Sequence, residues 1–188
     1  ILFKGIKRLN GNNYVEKTLL KAIKNDIAIY AIHTNLDSVM QGVNYKLGNL
    51  LGLEDLKILR PNSDNLVKLV TFIPEANTRE VLEAIHSTGA GTVGEYSSCS
   101  FSVTGTGRYT ASQEANPAIG SKQSSQEVTE NRVEIILSKH LQQTVIKTLK
   151  EVHPYEEVAF YATELTNIDE STGAGMLGKL KEPQTSKA

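Results

Sequence analysis

The stretch Val67–Pro74 (VKLVTFIP) decides the fold. It is short, apolar and rich in β-branched residues, and it ends at a proline, so it predicts a buried β-strand. Over residues 78–86 apolar side chains recur at helical spacing, and Gly89 follows, which predicts a helix that this glycine closes. A further strand is predicted over 96–103. The region therefore has the order strand, helix, strand.

The same order returns later in the chain. Residues Arg132–Leu137 (RVEIIL) again predict a strand, residues 140–152 predict a helix, and residues 157–165 predict another strand. Two consecutive βαβ units are typical of a ferredoxin-like fold, in which two helices cover one face of a sheet. We therefore expect a self-contained ferredoxin-like unit over residues 66–166.

The region before this unit has the pattern of an α/β layer. Apolar spacing predicts a helix over 14–24, with Asn12 or Asn13 as its cap. The apolar run Ile27–Ile32 is too short for a buried helix and predicts a buried parallel strand. A second helix is expected over 38–51. The whole chain is thus predicted to be α/β (α+β).

Composition excludes several classes of protein. The chain has 188 residues, and 20 Lys and Arg against 21 Asp and Glu give a net charge of -1, so no basic field attracts nucleic acid. The longest apolar run, Ile27–Ile32, is far shorter than the ~20 residues that span a bilayer, so no membrane partner is expected. The single cysteine, Cys99, excludes an intramolecular disulfide and a thiolate zinc cluster and favours a cytoplasmic location.

The segment His33–Asp37 (HTNLD) carries the strongest chemical signal. It follows the predicted strand, and open α/β sheets place ligands at the carboxyl ends of their strands. Imidazole and carboxylate groups both bind divalent metals. The alternative is structural: Asp37 or Ser38 caps the next helix, and His33 bonds to the backbone.

Three later segments have weaker signals. His153–Glu157 (HPYEE) offers an imidazole and two carboxylates, so His153 and Glu156 are a possible metal or proton-transfer site; the alternative is a helix stop, because Pro154 cannot continue a helix. Gly105–Arg108 (GTGR) favours a flexible β-turn over a phosphate loop, because no amphipathic helix follows it. Residues 111–126 lack periodicity and predict a long mobile loop or an extended arm against a neighbouring subunit.

The order of these motifs resembles one known family. The segment 32–37 (IHTNLD), followed by Gly42, Val43, Asn44 and Leu47, resembles the second metal-binding motif of the NIF-three-like family, also known as GTP cyclohydrolase I type two homologues. Members with an insertion carry segments similar to GEYSSCSF at 94–101, GTGRY at 105–109, ANPAIG at 115–120 and HPYEE at 153–157. That insert is similar to the CutA and PII-like folds. The GAGMLG stretch at 173–178 resembles the return into the metal-binding domain.

The resemblance implies a domain order and a chemistry. Residues 1–65 and 167–188 would belong to the metal-binding α/β domain, with 66–166 as the insert. The resemblance implies metal-assisted hydrolysis of an unidentified substrate at a dinuclear centre, with two divalent cations (Zn, Mn or Fe) as the cofactors. Of the family's metal ligands this chain would supply Asp37 alone, so we expect it to be the middle of a longer protein. His33 would lie beside the metals, orienting ligands or contacting a small-molecule substrate.

The resemblance also implies self-association. The full-length protein is expected to be a homo-oligomer, a trimer or a hexamer. The alternative to a hydrolase is a non-catalytic PII-like module that senses a small ligand or assembles subunits.

Overall fold

The computed structural model describes residues 5–185. These residues divide into two compact units: Pro61–Ser171 form one, and the described residues up to Arg60 and from Thr172 onward form the other. None of the helices among residues 5–185 is long and apolar enough to cross a membrane. The elements, in chain order, are α1 Tyr14–Lys24, α2 Thr34–Asp37, α3 Val43–Leu50, β1 Leu53–Asn62, β2 Leu66–Pro74, α4 Thr78–Ser87, β3 Phe101–Thr110, β4 Ser125–Ser138, α5 Gln142–Val152, β5 Phe160–Glu164 and β6 Asp169–Leu180.

The unit Pro61–Ser171 has the predicted ferredoxin-like topology. Its four strands lie in the order β3-β4-β2-β5, and each neighbouring pair is antiparallel. With α4 between β2 and β3 and α5 between β4 and β5, the chain follows the βαββαβ path. Helices α4 and α5 contact each other, and both pack on one face of the sheet. The predicted fold class and the placement of both helices on one face are confirmed.

The core lies between this sheet face and the two helices. Alternate residues of β2 and β4 point toward the helices, as the pairing of Leu69 with Ile135 illustrates. Burying these side chains removes apolar surface from water, which stabilises the folded state by about 25 cal/mol for each Å² buried. The buried cluster consists of Val67, Leu69, Ile73, Val81, Ile85, Ala90, Val133, Ile135, Leu137, Val145 and Leu149.

Neither α4 nor α5, the two helices of this unit, lies on the opposite face of the sheet, which we call the open face. Lys68 and Arg132 both pair with Glu134 there, at 3.4 Å and 2.7 Å. Large side chains next to these ion pairs stay exposed: Phe101 by 68%, Val103 by 51% and Tyr161 by 61%. The open face is therefore partly apolar, and both of these cations are paired within it.

The other unit contains α1, α2, α3 and the two-stranded sheet of β1 and β6. Asn13 is the N-cap of α1, and its Oδ1 accepts a hydrogen bond from the Glu16 backbone N–H at 3.0 Å. The Glu16 carboxylate accepts hydrogen bonds from the N–H groups of Asn10 and Asn12, which hold the pKa of that carboxyl below its usual value. Of the two predicted caps, Asn13 is the one observed.

The predicted strand over Ile27–Ile32 is wrong for the structure of this chain. The segment belongs to no strand, and its apolar side chains are exposed; Ile29, for example, is 57% exposed. A strand requires a paired backbone, and none of the strands among residues 5–185 pairs with this segment. The predicted helix over 38–51 is also shorter: only α3, Val43–Leu50, forms within that range, and the one-turn helix α2 precedes it. The break is at Gly42, where a β-carbon would lie 1.9 Å from the Leu36 carbonyl oxygen.

The β3–β4 hairpin is longer than predicted. The predicted strand over 96–103 begins only at Phe101 and runs to Thr110, so Gly105–Arg108 lies inside β3 and is not a turn. Its partner β4 begins at Ser125, and the pairing runs from Phe101 with Glu134 to Thr110 with Ser125. The outer half of this hairpin is polar because much of it faces solvent, so no apolar alternation identified it. The last strand of the four-stranded sheet, β5, is shorter than the predicted 157–165.

Candidate functional site

The segment His33–Asp37 forms one helical turn with a fixed backbone. The Asn35 side-chain oxygen accepts a hydrogen bond from the His33 backbone N–H at 2.8 Å. Asn44 Nδ2, at the start of α3, donates to the Asp37 carbonyl at 2.9 Å. The His33 side chain is exposed and that of Asp37 is half-buried. The two predicted site residues therefore lie four positions apart on a turn that α3 holds in place.

The structure excludes helix capping as the role of Asp37. The N-cap of α3 is Gly42, with no side-chain hydrogen bond at the cap, and Ser38 Oγ instead donates to the Thr34 carbonyl at 3.4 Å. Asp37 is the last residue of α2, a helix of only four residues. Within residues 5–185 its carboxylate forms no hydrogen bond or ion pair with another residue. This carboxylate is therefore available to a ligand.

The described residues do not complete a metal site. No group of three or more His, Cys, Asp or Glu side chains within 5–185 could hold a metal ion. A stable divalent site needs several ligands in fixed geometry. His33 and Asp37 alone do not meet this requirement, so no catalytic step of a metal can be assigned to this chain.

His153 is held by two hydrogen bonds at the end of α5. It is the C-cap, in extended conformation before Pro154, and its side chain is only 7% exposed. Its Nδ1 accepts from the Tyr155 backbone N–H at 3.1 Å, so Nε2 carries the proton and donates to the Phe72 carbonyl at 3.0 Å. Burial lowers the pKa of this imidazole. While these bonds hold, neither ring nitrogen is open to a metal.

A buried pair that the sequence analysis did not single out lies beside His153. Glu130, in β4, is 9% exposed, and its carboxylate occupies the space that a side chain on Gly107 would fill. Within the described chain the Tyr155 hydroxyl is buried without a hydrogen bond of normal geometry. Burial raises the pKa of Tyr155, and the nearby Glu130 carboxylate adds to the increase. The sequence contains the glycines of β3 and the carboxylate of Glu130, but only the register of β3 with β4 shows that they lie opposite each other.

The HPYEE and ANPAIG segments meet in space. The Glu156 carboxylate Oε1 accepts a hydrogen bond from the Asn116 backbone N–H at 2.7 Å, across 40 residues of sequence. The Tyr109 hydroxyl donates to the Ile119 carbonyl, which ties the same loop to β3. The loop after β3 therefore folds back on its own unit and forms one wall beside Tyr155 and Glu156. Of the predicted insert residues, the structure makes Glu156 accessible and buries His153.

Three comparisons show what the chain is similar to. The family described as Duf34/NIF3 (NGG1p interacting factor 3) matches residues 1–188. A Halalkalibacterium halodurans protein named GTP cyclohydrolase 1 type 2 homolog is 37% identical over 186 residues, covering 98% of this chain and 50% of the relative. A Bacillus subtilis protein of the same name is 35% identical over 187 residues, with coverage of 99% and 50%.

One solved structure agrees with this match. A Bacillus cereus protein related to NIF3 is 39% identical and superposes with a TM-score of 0.71, over 96% of this chain and 48% of that one. The chain thus spans about half the length of the relatives that it matches.

Proposed function

Because the chain belongs to the Duf34/NIF3 family, we propose that Asp37 is one ligand of a divalent-metal centre in a hydrolase of which this chain forms a part. The observation that carries the proposal is the position of the Asp37 carboxylate. It is half-buried, and no described residue forms a hydrogen bond or an ion pair with it. A half-buried carboxylate without a structural partner is a candidate ligand for a divalent cation.

The remaining metal ligands come, in this proposal, from residues outside 5–185. Two cations would be bound per full-length subunit, and a bound cation supplies Lewis acidity toward a substrate oxygen. His33, exposed on the same turn, would orient a ligand or contact the substrate. Hydrolysis is the proposed reaction class. The relatives carry a GTP cyclohydrolase name, so GTP is the first substrate to assay.

Metal analysis of a full-length protein containing this chain tests the role of Asp37. Asp37→Asn removes one carboxylate charge with little change of shape, and Glu54→Gln makes the matched change at an exposed position of β1. We expect Asp37→Asn to lower bound Zn, Mn or Fe, and Glu54→Gln to retain the wild-type content. Equal metal content in the two variants would refute the proposal.

We also propose that the open face mediates self-association. Phe101 and Tyr161 are largely exposed on it, and the nearby cations Lys68 and Arg132 already pair with Glu134. A cluster of exposed apolar side chains on one face suits burial against another copy of this chain, and Lys68, Arg132 and Glu134 together leave only one net positive charge there. The face would thus contribute to the trimer or hexamer expected of the full-length protein.

Sedimentation analysis of the chain tests this assembly. Phe101→Asp places a charge on the open face, and Gln143→Asp places the same charge on the exposed side of α5. We expect Phe101→Asp to lower the average mass and Gln143→Asp to leave it unchanged. A monomeric wild type at all concentrations, or equal masses of both variants, would contradict the proposal.

A further inference from the structure

A cavity of about 310 Å³ lies in the ferredoxin-like unit, between the end of β3, the loop after it and the HPYEE segment. Its volume is at the lower end of the range of small-molecule sites. Small side chains, among them Ala111, Ala115 and Pro117, form one side, and Tyr109, Tyr155, Glu156 and Glu157 form the other. Neither Asp37 nor the open-face residue Phe101 is among its lining residues.

The walls of the cavity are held in place. The Tyr109 hydroxyl donates to the Ile119 carbonyl, and the Tyr155 hydroxyl is buried next to Glu130. Their rings lie 6.3 Å apart, centre to centre, and are inclined by 60°. Since both hydroxyls are directed into the protein or to the backbone, the two tyrosines present mainly their rings to the cavity. The site is thus formed before any ligand binds.

The charge of the cavity is negative. Two carboxylates, Glu156 and Glu157, belong to its lining, and no Lys, Arg or His residue does. Glu156 uses one oxygen to accept the Asn116 N–H, whereas Glu157 forms no hydrogen bond or ion pair with any residue in 5–185. The single Lys or Arg of the loop between residues 111 and 124 is Lys122, which donates to the Gln113 carbonyl at 3.0 Å. A cation entering the cavity would therefore meet uncompensated negative charge.

We propose that this cavity binds a small organic cation, an ammonium group that carries apolar substituents. Tyrosine rings attract cations within ~6 Å of the ring centre, and the attraction grows when the site is partly desolvated. The alanine and proline wall accepts the apolar substituents, and Glu156 and Glu157 supply the countercharge. A neutral ligand of the same shape would lack both electrostatic contributions, and an anion would be repelled.

Titration of the isotopically labelled chain with choline, followed by the backbone amide resonances, tests the proposal. Choline is the probe, and its uncharged carbon isostere dimethylbutanol is the matched control ligand. We expect choline to shift resonances of the lining residues with a millimolar dissociation constant, and the isostere to bind about tenfold more weakly. The variant Glu157→Gln should weaken choline binding severalfold, because it removes an unpaired carboxylate.

Two further variants complete the design. Tyr109→Leu removes one ring and should weaken choline more than the isostere, whereas Glu151→Gln, on α5 outside the cavity, should bind both as the wild type does. Amide spectra of each variant verify that it is folded. Absence of choline-induced shifts at the lining residues, shifts centred elsewhere, or equal affinity for choline and its isostere would overturn the proposal. None of these results depends on metal content or on Asp37.

Discussion

The imidazole Nε2 of His153 lies 3.0 Å from the carbonyl oxygen of Phe72, 81 residues earlier in the chain. The bond joins the end of α5 to the middle of the sheet. Because Nδ1 also accepts the Tyr155 N–H, the folded unit requires the neutral form of this ring. Protonation would place a charge in a buried position and would disrupt the acceptor bond at Nδ1.

This relationship predicts a pH dependence of stability. Burial lowers the pKa of His153 from its ordinary value of 6.5, so below pH 6.5 the unfolded chain binds a proton that the folded chain does not. The free energy of unfolding should therefore fall as the pH decreases from about 7 through the lowered pKa. Hydrogen exchange of β2 and β4 amides measures this directly.

The variant His153→Gln isolates the contribution of the ring. Its amide can replace both hydrogen bonds without titrating, so the fall in stability between about pH 7 and 5 should be smaller than in the wild type. His140→Gln, at an exposed position, should retain the wild-type pH profile. Parallel profiles for wild type and His153→Gln would show that the protonation of other groups governs this range.

Leu149 tests the core beneath the helices. Its side chain is 0% exposed within the cluster formed by α4, α5 and the sheet. Leu149→Ala should lower the free energy of unfolding by about 2–5 kcal/mol, since it removes buried methyl groups and leaves a cavity. Thr144→Ala, exposed on the same helix, should change it by about 0.5 kcal/mol or less. Amide exchange in β2 and β4 reports the free energy of unfolding of both variants. A smaller loss of stability for Leu149→Ala than for Thr144→Ala would contradict the burial of Leu149 in this core.

Gly107 and Gly105 provide a matched pair in β3. A β-carbon on Gly107 would lie 2.1 Å from Glu130 Oε2, whereas one on Gly105 would meet nothing within 4 Å. Gly107→Ala should therefore cost about 1–3 kcal/mol of stability, and Gly105→Ala about 0.5 kcal/mol or less. The measurement is the denaturation midpoint of each variant by circular dichroism. Equal midpoints would mean that Glu130 does not occupy the position beside Gly107.

The present chain by itself should bind divalent cations weakly. Among residues 5–185 no cluster of metal-binding side chains is present, and Asp37 would be a single ligand. Calorimetric titration with Zn²⁺ and Mn²⁺ checks this expectation. Submicromolar affinity that disappears in Asp37→Ala would instead show that the chain holds a complete site.

The sequence by itself determined the elements whose patterns are set locally. β2 is an almost continuous apolar run that ends at Pro74, and α4 has apolar residues at helical spacing before Gly89, so their bounds were predicted closely. Because the strand-then-helix pattern recurs at β4 and α5, the sequence was enough to predict the ferredoxin-like order of elements. The helix-stop interpretation of His153 likewise followed from the covalent geometry of Pro154.

The tertiary structure decided the features that depend on contacts between residues far apart in the sequence. Ile27–Ile32 has the pattern of a buried strand but is exposed, because pairing requires a second backbone that the pattern cannot supply. The outer β3–β4 hairpin has no apolar alternation, yet register with β4 forms it. The buried Glu130, the space at Gly107 and the cavity beside Tyr109 likewise exist only when strands and loops far apart in sequence meet.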